Sequence, residues 1–116
     1  PEWRQYEHSF PLLQQSSIDI VSLESHNSRI PIEVIELLRG KKIMLGAIDV
    51  ASNEIEHPEE VAATLRRALD HVDADNLIAS SNCGMAPLPR DVALAKLSAL
   101  SAGAAILRQE LAGALV

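Results

Sequence analysis

Three short apolar runs punctuate this chain, and each closes on a side chain that can do chemistry. Residues 17–24 end in Glu24, residues 41–49 end in Asp49, and residues 76–81 lead into Cys83-Gly84. All three are brief, and the first two are rich in β-branched or long aliphatic residues, so they read as strands. The middle run, Ile43-Met44-Leu45-Gly46-Ala47-Ile48, is nearly continuous in apolar residues. That pattern predicts a parallel strand covered on both faces. Helical patterns separate the runs. Pro31 suits a first helical position, Ile32, Ile35, Leu37 and Leu38 follow at helical spacing, and Gly40 stands where a left-handed cap is needed. Pro58-Glu59-Glu60 is a strong helix start, with Val61, Leu65, Ala68, Leu69 and Val72 as its buried stripe. Pro89 opens a last helix whose predicted stripe is Ala93, Leu97, Leu100, Ala104 and Leu107, with Gly103 a mild cost inside it. At the start, Trp3, Tyr6, Phe10 and Leu13 mark an amphipathic helix that Pro11 ends or kinks. The predicted order is α-β-α-β-α-β-α. Strands alternating with helices give an α/β fold of parallel βα units with right-handed crossovers.

Composition narrows the function classes. With 116 residues the chain is at most a single domain. Ten basic against sixteen acidic side chains leave a net charge of −6, so neither nucleic acid nor an anionic membrane is the expected partner. Aromatic residues make up only 3%, so the core must come from Ala, Leu, Ile and Val. The lone cysteine cannot form an internal disulfide and fits a reducing, cytoplasmic setting. Pro1-Glu2-Trp3-Arg4 does not read as a signal peptide, and a start without methionine suggests a processed, trimmed or partial chain.

In parallel α/β folds, sites assemble at the carboxyl ends of strands. Glu24 and Cys83 are ligand types that zinc accepts at ~2.0–2.3 Å. Each has a plainer reading: Glu24 as a helix cap or surface acid, Cys83 as a small packed hydrophobe. Asp49 is either a site residue or the acceptor of an Asx turn in its own loop. His26, His57 and His71 fall in loops or on a helix surface and read as solvated. Arg66-Arg67 reads as a solvated helix face, and Lys41-Lys42 as the start of a strand.

Taken together, residues 18–24, the run Gly46-Ala47-Ile48-Asp49-Val50, the run His57-Pro58-Glu59-Glu60-Val61 and Asn82-Cys83-Gly84-Met85 resemble the C-terminal part of the cobalamin-independent methionine synthase catalytic domain. The closing run 88–93 with Lys96-Leu97 is similar to the shorter, single-barrel members of that family. The resemblance implies a TIM (β/α)8 barrel with zinc at its C-terminal mouth. There zinc binds the homocysteine thiol, and 5-methyltetrahydrofolate supplies the methyl group. Its ligands are the histidine and cysteine of an H-x-C motif, a glutamate ending a later strand and the cysteine of a D/N-C-G motif. Matched by position, Glu24 is that glutamate and Cys83 the last cysteine. Asp49 and Ser25 become candidates for contacting substrate or supporting the ligands.

Two departures stand out. No H-x-C pair precedes Glu24, and His8-Ser9-Phe10 is no substitute. Ala51 stands where full-length synthases carry a histidine that donates a proton, which leaves open a relative acting on another electrophile such as an epoxide, as in coenzyme M transferases. Size matters as well, since a barrel needs eight strands and ~250 residues. Residues 1–116 therefore read as one partial domain, the last portion of such a barrel with about three strands. It is expected to be a fragment, one piece of a split enzyme, or a unit that covers its open edges as a homo-oligomer or with a complementing barrel fragment. The contrasting expectation is a non-catalytic α/β assembly unit in which Cys83 is merely packed.

Overall fold

The computed structural model of the protein describes residues 6–26 and 30–114. It contains helix α1 (Tyr6–Gln14), strand β1 (Ile20–Glu24), a 3-10 helix (Ile32–Leu38), strand β2 (Lys42–Gly46), helix α2 (Pro58–Ala68), strand β3 (Leu77–Ser80) and helix α3 (Arg90–Ala114). A single 3-10 turn, Ala74–Asn76, leads into β3. The three strands form one parallel sheet in the order β1-β2-β3.

Register divides the sheet into two unlike faces. Val21, Ile43 and Leu77 lie side by side, as do Leu23, Leu45 and Ala79. These residues meet the helices, and Ile43 and Leu45 are fully buried. Phe10, Ile35, Leu38, Val61, Leu65, Ala68 and Leu107 complete that core. Complete burial of one such aliphatic side chain stabilises by ~1.5–3 kcal/mol. The other face carries Ile20, Ser22 and Glu24 beside Lys42, Met44 and Gly46, then Ile78 and Ser80. No described helix covers it, and Ile20 is 44% exposed. The expectation of two covered faces for β2 therefore holds on one side only.

The helices depart from the sequence reading in four places. Residues 32–38 form a 3-10 helix, not an α-helix, and Pro31 is its extended N-cap, not its first residue. The segment is short, and Ile32, Val34 and Ile35 are β-branched, which weakens α-helical preference. Gly40 does adopt the left-handed conformation, with φ +85°. Helix α1 runs through Pro11 into a further turn, and Gln15 N donates to the Pro11 carbonyl at 3.2 Å. Phe10 is buried and its ring lies 5.4 Å from that of Tyr6. Trp3, the first residue of the predicted stripe, lies outside the described residues.

The third and fourth departures concern α3. The predicted stripe holds at Leu100, Ala104 and Leu107, which meet the core, but Leu97 is 47% exposed, and Lys96 and Ala99 are buried in its place. Gly103 is no mild cost but a contact point. A Cβ there would lie 2.5 Å from the Val61 side chain and 2.8 Å from the Pro58 carbonyl oxygen. The close crossing of α3 over α2 requires its absence. Arg66 locks the same pair of helices from outside by a bidentate bond to Glu110, at 2.6 and 3.0 Å. That bond holds the Glu110 carboxyl below its ordinary pKa. Its small contribution is thus present above the ordinary carboxylate range and fades as pH falls through the lowered value.

Gly103→Ala is expected to cost about 1–3 kcal/mol through overpacking. Gly113→Ala, with nothing near its added methyl, is expected to gain up to ~1 kcal/mol from helix propensity. Urea unfolding of the two variants tests the contrast.

Candidate functional site at the carboxyl ends of the strands

Parallel register brings the ends of all three strands to one rim. Glu24 is the last residue of β1, opposite Gly46, and Gly46 in turn lies opposite Ser80 of β3. Two strand spacings put Glu24 and Ser80 roughly 9–10 Å apart. Cys83 follows in the bend after β3 and is an exposed, free thiol. Glu24 is exposed too, on the helix-free face. Among the described residues no group of three His, Cys, Asp or Glu side chains could hold a metal. The chain thus supplies two zinc-type donors, a thiolate former and a carboxylate, and neither is consumed by the core. They fit part of a four-ligand zinc site.

A web of hydrogen bonds fastens the rim at Gly46. Its carbonyl accepts from Ser25 N at 3.2 Å, His26 N at 3.0 Å and Ser25 Oγ at 2.8 Å. Ala47 N donates to Ser80 O at 2.8 Å, and Asn82 N to Ile48 O at 2.9 Å. Asn82 Nδ2 reaches across to donate to the His26 carbonyl at 2.8 Å. Ser25, next to Glu24, is thereby tied to the end of β2 through both its main chain and its hydroxyl.

Asp49 lies behind this rim in a different network. Its Oδ1 accepts from Ala51 N at 2.9 Å, which is the Asx turn that competed with a site role. Its main chain is held on both sides. Asp49 N donates to Glu56 Oε2 at 2.8 Å, and Asp49 O accepts from Lys96 Nζ at 2.8 Å. Lys96 is completely buried. It also donates to the Glu54 carbonyl at 2.6 Å and pairs with Glu56 Oε1 at 3.0 Å. Three acceptors satisfy the three protons of the ammonium, the condition under which a buried charge is tolerated. The 49–56 loop is thus pinned at both ends from α3. His26, Asp49, Glu54, Glu56, His57 and Glu60 line the open cleft beside it.

The sequence reading missed Lys96 and Glu56 as structural charges. The available signal was a lysine one position from the assumed apolar stripe, with acids in a preceding loop. The solvated-histidine reading holds for exposed His57 and fails for the other two. The His26 side chain is only 19% exposed, with Nε2 3.9 Å from Glu56 Oε2. His71 Nδ1 meets Glu36 Oε1 at 3.0 Å and ties the turn after α2 to the 3-10 helix. Arg66 likewise belongs to an ion pair, not a purely solvated face.

Lys96→Met is expected to cost about 3–5 kcal/mol, because it leaves Glu56 charged, buried and uncompensated. Adding Glu56→Gln should recover a large part of the loss, as read from denaturation midpoints of the single and double variants.

Comparison with known proteins places this rim in context. Residues 4–105 match the family described as cobalamin-independent synthase, catalytic domain. A methionine synthase of Sulfurisphaera tokodaii is 33% identical over 109 residues, covering 92% of this chain and 32% of that protein. A 2-hydroxypropyl-CoM lyase of Xanthobacter autotrophicus is 35% identical over 116 residues, covering 90% of this chain and 30% of the relative. The B12-independent methionine synthase of Shewanella sp. W3-18-1, solved in complex with selenomethionine, superposes with a TM-score of 0.93 at 62% identity. That match covers 96% of this chain and 33% of the solved one. The chain spans about a third of the length of these relatives, so its open three-stranded sheet is a portion of a TIM barrel. On these grounds the chain belongs to the cobalamin-independent methionine synthase catalytic-domain family.

Proposed function

We propose that residues 1–116 are the C-terminal part of a zinc-dependent thiol methyltransferase, one partial domain completed by barrel strands from outside this chain. The observation that carries this reading is the rim itself. Glu24 and Cys83, a carboxylate and a free thiol, stand exposed at the ends of strands two apart. The same hydrogen-bond web holds both loops. Zinc held by these two residues, with a histidine and a cysteine from an upstream H-x-C pair, would keep a homocysteine-like acceptor thiol as its thiolate near neutral pH.

The chain's own residues have simpler duties. Ser25 and Asn82 hold the two donor loops against β2. The Lys96–Glu56 pair fixes the Asp49 backbone at the edge of the cleft. In the overall transfer a sulfur–carbon bond forms, the methyl–nitrogen bond of 5-methyltetrahydrofolate breaks, and the folate nitrogen gains a proton. Ala51 cannot donate that proton. This residue favours a second reading, thiol attack on another electrophile such as an epoxide, and similarity to a 2-hydroxypropyl-CoM lyase supports it.

The helix-free sheet face, with Ile20, Met44 and Ile78, suits the inside of a closed barrel. A complementing barrel fragment is therefore the partner expected at the free edges of β1 and β3, in a cytoplasmic setting. Among the described residues no helix is long and apolar enough to cross a membrane.

The 116-residue chain alone is expected to hold zinc weakly and to transfer no methyl group from 5-methyltetrahydrofolate to homocysteine. Turnover by the purified chain without a partner would falsify the partial-site reading. In the complete barrel, metal analysis should find stoichiometric zinc that Cys83→Ser removes. A stable, zinc-free oligomer would instead favour a non-catalytic assembly unit.

A further inference from the structure

Gly46 and Asn82 fit together more closely than a passive loop contact requires. Gly46 ends β2 on the helix-free face, between Glu24 and Ser80. A Cβ at position 46 would overlap Asn82 Oδ1 and lie 2.7 Å from Asn82 Cα and 3.0 Å from its nitrogen. The asparagine therefore occupies the volume that any side chain at 46 would fill. From this seat Nδ2 bonds the His26 carbonyl at 2.8 Å, joining the loop after β3 to the loop after β1. Oδ1 is buried and has no partner. Native structures rarely leave a buried acceptor unpaired without a reason. The amide is thus held by its donor arm and by the absence of a side chain beneath it. One end of this strap adjoins Cys83, and the other is two residues from Glu24.

We propose that Asn82 is a positioning residue for the metal donors. Its amide, seated on Gly46 and bonded to His26, sets the spacing between the loop that follows Glu24 and the loop that carries Cys83. The inference rests on the reading of those two residues as zinc ligands. Asn82 touches no reacting atom. It acts by limiting the separations the carboxylate and thiolate can adopt, as groups behind metal ligands generally do. Gly46 belongs to the same device, because a methyl group there would evict the amide.

The experiment uses the complete barrel carrying Asn82→Ala, Gly46→Ala or both. Zinc affinity is measured by chelator competition, the thiolate-to-cobalt absorption by cobalt substitution, and loop opening by amide hydrogen exchange without metal. Asn82→Ala is expected to keep a cooperative unfolding transition, lose about 10–100-fold in zinc affinity and shift the cobalt spectrum. Faster exchange is expected in residues 24–26 and 81–84 together. Gly46→Ala should lose both stability and affinity. The double variant should regain only the part of the stability lost to the amide overlap, because the contacts with the Asn82 Cα and nitrogen remain, and it should regain no affinity. Unchanged exchange in both loops, or unchanged affinity and cobalt spectrum in Asn82→Ala, overturns the proposal. Wild-type protein that binds no zinc overturns the ligand reading instead, and loop exchange then decides separately whether the strap exists.

Discussion

The rim of this sheet depends on one carbonyl and one missing side chain, both at Gly46. Three donors from the loop after β1 converge on that carbonyl, and the Asn82 amide fills the space above its Cα. β2 is the central strand, so whatever is fastened to its end is fastened to both neighbours. Loops usually move independently. Here the loop that follows Glu24 and the loop that bears Cys83 are coupled through main-chain and amide hydrogen bonds, which cannot be swapped for generic packing. The chemistry of the mouth depends on backbone geometry before it depends on any ligand.

A second layer of support comes from behind. Lys96 projects from α3 into the 49–56 loop and satisfies two carbonyls and a carboxylate. A buried ion pair contributes little net stability against an apolar alternative, but breaking it is costly. Its effect here is to give a loop without regular secondary structure a fixed path. Helix α3 can reach that loop because Gly103 lets it lie close on α2. The contact at Gly103, about two turns from Lys96 along α3, thus helps set the position of Asp49.

Much of the architecture was legible in the chain. The apolar runs gave the three strands, Pro58 and its acids the start of α2, and Gly40 the left-handed cap. These are local effects: side-chain period, fixed proline φ and the steric freedom of glycine. Lys96 was not legible as a buried charge, because its acceptors are two carbonyls and a glutamate forty or more residues away in the chain. Nor was the fit of Asn82 on Gly46, since glycine in an apolar run looks like any small residue until the neighbouring loop is placed over it. Leu97 was misplaced in an otherwise correct stripe because Ala-rich helices offer several nearly equal apolar faces, and only contact with α2 selects one.

The sequence by itself determined the α/β order, the parallel sheet and Glu24 as the end of β1, because hydrophobic periodicity and turn chemistry act over a few neighbours; β2 and β3 stop at Gly46 and Ser80, so Asp49 and Cys83 lie in the loops beyond them. It also determined family membership, through four short runs in the right order. Only the tertiary structure decided that Asp49 is engaged in its own turn, that His26 is partly buried beside Glu56 and that the loop after Glu24 is joined through Asn82 to the loop carrying Cys83. Those outcomes depend on which loop ends meet above β2, a matter of register and close approach that no local pattern encodes.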